Sequence, residues 1–504
     1  MSAVQDTLDD SLAEASASPA AAAELIARLQ AENAALQEAL TASQEALTTS
    51  HETIARLTAR IAELERRLGL NSGNSGKPPS SDGLKKPPRT TSLGEPSSKK
   101  SGGQPGHRGE TLRQVAEPTV TIDHFPDHCE GCGSPLTQDT ATDYSARQVV
   151  DLPEPQPLVV TEHRAHSCRC EQCGTSTRAA FPEGVTAPVQ YGARIAAFVV
   201  YLLQYQFVPE DRLVELMADL FGVKLAAATL ARMSALCAQR FHGVVTVICQ
   251  AVKTAAVKHL DETGFRIGGK TRWRHVAVTE WLSFYRVSPK RGSLLDALIG
   301  IVVHDHWKPY YTLTGVIHAL CNAHPLRELK ALIEIEQERW AARMYRLLRR
   351  ACHATNWARA RGEPLKQSLV ERFQRRFDAI LADGLAFHEA QPPLPAKTTG
   401  SGKRRGRPKR RTGHNLVLRL QTHRDDVLRF LTDPRVPFTN NLAEQAARMM
   451  KLRQKISGGF RSEQGANDFA AIRSLIATAK KQGWNVLETL TQSPDALLAK
   501  LRVG

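Results

Sequence analysis

Three features of the 504-residue sequence predict a multidomain α+β protein. The first is a long heptad-patterned stretch near the N-terminus. The second is a pair of cysteine knuckles in a polar segment, and the third a set of short apolar runs after residue 250, two of which end in aspartate. The length allows several domains and a sizeable core.

Composition narrows the partners. Lys and Arg number 67 against 51 Asp and Glu, a net charge of +16 that favours a polyanion, either nucleic acid or an acidic membrane surface. The longest apolar run, Ile195 to Leu203, falls far short of the about 20 residues a spanning helix needs. The first residues are acidic and polar where a signal peptide would be basic and then apolar, so the chain reads as cytoplasmic. Nine cysteines agree, several with metal spacing and Cys237, Cys249, Cys321 and Cys352 scattered.

Residues 1–21 read as a disordered terminus and residues 22–70 as a coiled coil. Ile26, Asn33, Leu40, Leu47, Ile54, Ile61 and Leu68 occupy one heptad position, with Leu29, Leu36, Ser43, Ser50, Leu57 and Leu64 three later. A narrow, sustained apolar seam predicts pairing with a second copy, and the polar Asn33 within it favours a parallel dimer. Residues 71–118 are rich in Ser, Gly, Pro and Lys, cannot bury a core, and read as a basic linker. Residues 119–180 hold Cys129-x-x-Cys132 and Cys170-x-x-Cys173, each followed by Gly. Four thiolates suit tetrahedral zinc, and 146–152 and 158–166 have the composition of zinc-ribbon strands. Residues 190–250 read as helical; Glu210 to Gly222 followed by Lys224 to Ala238 has the pattern of a helix-turn-helix, although any helical hairpin with a glycine turn reads alike.

From 251 to 324 the pattern changes to strands. His259 to Phe265 reads as a short strand carrying Asp261 at its end, followed by a turn at Gly268-Gly269. Arg274 to Thr279 and Leu282 to Val287 form a hairpin pair, and Leu298 to Val303 leads to Asp305. Gly315 to Leu320 is a fifth strand that runs into Cys321-Asn322-Ala323-His324. This is the order of a ribonuclease H-like core, which brings the ends of its first and fourth strands side by side. Two carboxylates forced together repel unless a cation lies between them, so oxygen-ligated Mg²⁺ or Mn²⁺ is the natural occupant. Taken singly, each acid also fits a solvated turn.

Residues 325–430 read as a helical insertion containing a basic loop, 397–414. In that loop Arg405-Gly406-Arg407-Pro408 resembles an AT-hook, whose arginines lie along a narrow minor groove; electrostatic tethering to phosphates fits equally well. Residues 431–504 complete the core. There Glu444, Arg448 and Lys451 share one helix face, capped by Thr439 or Asn440.

The series Asp261-Glu262-Thr263, Asp305-His306-Trp307, Cys321-Asn322-Ala323-His324, Asn440-Asn441-Leu442-Ala443-Glu444-Gln445 and Ser474-Leu475-Ile476-Ala477-Thr478-Ala479 resembles the insertion-sequence-66 family of transposases. Lys451, seven positions after Glu444, is similar to the pattern of the wider DDE class. The sequence departs from the family at Gln445, often Arg there, and at Asn322-Ala323, often Trp-Ala. The resemblance implies a ribonuclease H-like catalytic core with Asp261, Asp305 and Glu444 as ligands of catalytic Mg²⁺ or Mn²⁺. Arg448 or Lys451 would position phosphates. It also implies DNA partners, both element ends and target, small accessory proteins of the same element, and a place with the nucleoid. His324 fits either DNA contact or bracing of the core. Two rivals share these features: a DNA-binding remnant without catalysis, and a ribonuclease H-like nuclease or resolvase.

Overall fold

The computed structural model describes residues 19–75, 77, 114–150, 158–394 and 410–503. The chain divides into two units, one of Met1–Arg89, His324–Arg346 and Asp383–Leu416, the other of Thr90–Ala323, Leu347–Ala382 and Val417–Gly504. The stretch expected to be one insertion is therefore shared between them.

In the first unit, an Ala-, Leu- and Glu-rich run without glycine forms helix α1 (Pro19–Leu68), which starts inside the stretch expected to be disordered. At about 1.5 Å per residue it is about 75 Å long, and none of its residues is buried. Its heptad leucines and isoleucines are all exposed, Leu36 by 71%. The expected linker also begins in order: Asn74, 1% exposed, donates its side-chain amide to Gly69 O (3.0 Å) and Glu334 Oε2 (2.9 Å). Buried, satisfied polar groups make 69–75 a built turn rather than a tether.

The second unit opens with the cysteine knuckles. Each has the same turn, with Gly133 N donating to Cys129 O and Gly174 N to Cys170 O, both at 2.8 Å. Both glycines have φ near +70°, which explains their place after the second cysteine. The strands differ from expectation. They are β1 (Ser167–Arg169) and β2 (Ser176–Arg178), an antiparallel pair flanking the second knuckle, while 146–150 and 158–166 form no ladder. Side chains bridge 114–115 to 146–148 instead, as Val115 N donates to Gln148 Oε1 at 2.7 Å.

Helices α2 (Ala193–Val200), α3 (Glu210–Phe221), α4 (Ala227–Arg240) and α5 (His242–Thr254) follow. The α3–α4 hairpin turns at Gly222 (φ +65°), as read from the sequence. Helix α4 buries Leu230, Met233 and Ala238 in the core and exposes Ala227, Ala228, Ala231, Arg232, Leu236, Gln239 and Arg240.

Five strands form the central sheet: β3 (Val257–Ile267), β4 (Lys270–Val278), β5 (Ser283–Ser288), β6 (Gly300–His304) and β7 (Val316–Leu320). Their order is β5-β4-β3-β6-β7, with β3–β4 and β4–β5 antiparallel and β3–β6 and β6–β7 parallel. One face buries Leu260, Ala277 and Val302 with α4 and α5. After β7 come α6 (Ala323–Glu334), α7 (Arg339–Arg359), α8 (Gln367–Glu389), α9 (Thr412–Thr422) and α10 (Arg424–Thr432). Helices α11 (Asn441–Ser457) and α12 (Glu463–Lys481) cover the other face, and α13 (Val486–Thr491) and α14 (Pro494–Ala499) end the fold.

Helix α12 also closes an edge. Tyr285 N and Ser283 N of the outer strand β5 donate to Ser474 Oγ (3.0 Å) and Thr478 Oγ1 (3.1 Å). One helical turn, about 6 Å, matches two strand residues, so hydroxyls four apart satisfy donors two apart. Among the described residues no single helix is long and apolar enough to cross a membrane; α4 and α5, bent by 55°, pass as a pair but are lined with core residues.

Gly300 opens β6 at φ +79°, and a Cβ there would lie 2.8 Å from Ala256 O. Gly300→Ala is expected to destabilise the second unit by roughly 2 kcal/mol or more. An unchanged thermal midpoint would show that the start of β6 yields without cost.

Candidate active site

The site is built where two ladders differ in length. Strand β3 does not end at Asp261, as the sequence suggested; it pairs with β4 as far as Ile267↔Lys270. Its parallel pairing with β6 stops at His259↔Val303. Carried two residues further, the same offset sets Asp261 opposite Asp305 on an open gap. In the next strand pair His304 lies opposite Leu320, so Asp305 and Cys321 continue the row.

Helix α11 is fastened along β3 on this face. Ala443 and Ala447, small and one turn apart, sit against Val276, Val278 and Tyr285 and let the helix lie close to the sheet. At its start, Asn440 does not cap the helix with its side chain. It reaches the sheet instead: Asn440 Nδ2 donates to Leu260 O at 2.7 Å, and Asn440 Oδ1 lies 2.9 Å from His259 Nδ1. In the middle, the fully buried Arg274 donates to Ala446 O and Ala447 O at 3.0 and 3.2 Å. Beyond the helix, Phe460 N donates to Arg266 O and Gly268 N to Phe460 O, both at 3.0 Å. The 17 residues of α11 span about 25 Å, close to the about 23 Å of β3 between Leu260 and Ile267.

These fastenings bring Glu444 over the strand ends. Burial, with the carboxylates of Glu262, Asp305 and Glu444 acting the same way, raises the Asp261 carboxyl to about 7. Glu444 Oε1 is 3.7 Å from Cys321 Sγ, and Cys321 Sγ accepts from Asn440 N at 3.2 Å. Asp305 Oδ1 accepts from Trp307 N at 2.9 Å. Behind Asp305, His304 Nε2 and His318 Nδ1 are 2.9 Å apart, and burial lowers His304 to about 3.

Glu262 leaves the opposite face of β3, as alternation requires. Arg291 donates to its Oε1 at 2.6 and 2.9 Å, and the Tyr310 hydroxyl to its Oε2. Its side chain is 2% exposed and its charge is already matched, so it is unavailable to the acids on the other side.

Of the cations read from the sequence, Arg448 is largely exposed and 3.9 Å from Glu444, an intrahelical pair, and Lys451 is exposed. Arg405 and Arg407 lie outside the described residues. Cys321 and Ala323 belong to the second unit and His324 to the first. Within each knuckle, Cys132 and Cys173 are held below the usual thiol range by hydrogen bonds from Ser134 and Thr175, which favours the thiolate a metal needs. Among the described residues no three of these sulfurs lie within 4.8 Å of one another. Sequence reasoning missed His259, Arg274 and Asn440 as parts of the site. The signal was present for two: His259 shares Asp261's strand face, and Asn440 precedes Glu444 by one turn.

Three family models match. The one described as the transposase IS66 family covers residues 188–468, and the zinc-finger binding domain of transposase IS66 covers 126–174. A family of unknown function covers 17–113. No curated protein matches the chain. A zinc-finger domain followed by a transposase domain defines the class, a DNA-binding transposase. Within it, the chain belongs to the IS66 family, whose model spans more than half of the sequence.

The native Asp261 carboxyl holds its proton up to about 7, against an ordinary 3.8. Between these values the native state binds more protons than the unfolded chain, so this group's contribution to stability falls as pH rises. Asp261→Asn in metal-free protein should therefore raise the unfolding free energy at pH 8, by on the order of a few kcal/mol, and change it little at pH 4. Equal effects at both pH values would show that Asp261 carries no buried charge.

Proposed function

We propose that the chain cuts DNA at the ends of its element and joins the freed 3′-hydroxyl to target DNA, with Mg²⁺ or Mn²⁺ held by Asp261, Asp305 and Glu444. One observation carries this reading: Asp261 and Asp305 on two adjacent strands and Glu444 on a helix fastened across them come near enough that the carboxylates of Asp305 and Glu444 help raise the Asp261 carboxyl. An oxygen-only donor set whose members repel suits a hard divalent cation, and the DDE class to which the family belongs implies one. When bound, the ions supply activation of water or hydroxyl and neutralise charge on the transferring phosphate. The residues would do the rest: Asp261 would serve as the shared ligand and Asp305 and Glu444 as the flanking ones, and Arg448 or Lys451 would meet the DNA backbone. The strand order supports a ribonuclease H-like core.

The other parts serve DNA and assembly in this reading. One structural zinc joins Cys129, Cys132, Cys170 and Cys173, and the exposed seam of α1 pairs in parallel with a second copy. The loop containing Arg405 and Arg407 tethers DNA, and small accessory proteins of the same element act with the chain.

Asp261→Asn, Asp305→Asn and Glu444→Gln should each abolish divalent-ion-dependent cleavage and leave DNA binding intact, whereas Glu262→Gln should still cut. DNA binding without cleavage by the unaltered chain would favour a non-catalytic remnant; cleavage without joining of a pre-cut end would favour a nuclease or resolvase. Elemental analysis should return about one zinc per chain, lost in Cys170→Ser and kept in Cys168→Ser. Loss in Cys168→Ser would reassign the second knuckle.

A further inference from the structure

We propose that Asn440 and His259 form a latch that sets Glu444 against Asp261, making Asn440 a positioning residue for the divalent-ion site; this rests on the reading of that site given above. Both residues are buried, at 2% and 4% exposure. Asn440 Nδ2 donates to Leu260 O, so its Oδ1 is the acceptor and His259 Nδ1 is the donor. A single side-chain amide thus spends both of its ends on β3, one on the backbone and one on a side chain. It cannot rotate without leaving a buried group unpaired.

The two partners stand in register with two acids. His259 lies two residues before Asp261 and shares its strand face. Asn440 lies four residues before Glu444, one helical turn, and Glu444 N donates to Asn440 O at 3.1 Å. Joining the earlier pair fixes the later pair along the helix and along the strand together. The third fastening at this end is Asn440 N to Cys321 Sγ, so the strand carrying Asp261, the strand preceding Cys321 and the helix carrying Glu444 meet at one residue. The ordinary role of an asparagine at this position is to cap the helix, which its side chain does not do here.

The test is Mn²⁺ binding to the full-length, zinc-loaded chain, followed by electron paramagnetic resonance of the free ion. Asn440→Ala should raise the Mn²⁺ concentration at half-saturation at least tenfold, while zinc content, DNA binding and circular dichroism stay unchanged. In Asn440→Ala/Glu444→Gln the affinity should equal that of Glu444→Gln alone, because the latch acts through Glu444; a merely structural role would lower it further and overturn the proposal. If Asn440→Ala does not fold, His259→Phe removes the donor to Asn440 Oδ1 and should weaken Mn²⁺ in the same direction. Binding lost in Asp261→Asn but unchanged in the folded latch variants would overturn the latch alone. Binding indifferent to Asp261→Asn would overturn the metal-site reading itself.

Discussion

The acid cluster depends on one inequality, the early end of the β3–β6 ladder while β3–β4 runs on. Beyond His259, β3 has a partner on one side only. Its backbone remains held by β4, so Asp261 is rigid, yet the side toward β6 is open and can admit a ligand. A strand that stopped with β6 would leave Asp261 on a loop. A β6 that continued would close the gap by pairing its own backbone with β3. Gly300 sets where β6 begins, and five residues later the strand is over.

Placing acids there has an electrostatic cost that the surrounding cations only partly offset. Arg274 is fully buried beneath α11, with Nε and Nη1 unpaired among the described residues, and burial lowers it to about 10. Arg473 on α12 is buried nearby in the same state, its pKa lowered by burial. Both guanidiniums lie near aromatic rings, Arg274 4.7 Å from the Tyr285 centroid and Arg473 5.5 Å from that of Phe207. Ring faces and carbonyls solvate these charges without neutralising them. The positive charge of Arg274, held between the sheet and α11, acts on Asp261, a long-range support that no contact distance displays.

Much of this was legible in the sequence because it is local. Periodicity marked α1, the five strands and α11, and alternation alone put Asp261 and Glu262 on opposite faces. What failed was non-local. The runs 146–150 and 158–166 have strand composition, but a ladder needs a partner in register, and here 146–148 is joined by side chains to 114–115 instead. Asp261 read as the end of a strand because polar residues follow it; the alternating Thr263, Phe265 and Ile267 are buried by Met450, Phe460 and Phe469, far along the chain. Asn440 read as a cap because its neighbours in sequence are a helix, while its partners are on β3. The linker expected from residue 71 opens instead with a turn satisfied by Glu334, which composition cannot reveal.

The edge of β5 has a consequence for the order in which the molecule is made. Its outward N–H groups are satisfied by hydroxyls of α12, and the third acid arrives on α11, both encoded well after the five strands. A chain emerging from the ribosome can complete its sheet with Asp261 and Asp305 in place, yet it still has a bare edge and an unfinished cluster. Synthesis thus acts as a delay line: the set of three carboxylates cannot close until α11 has been made, and the sheet edge is not sealed until α12 follows.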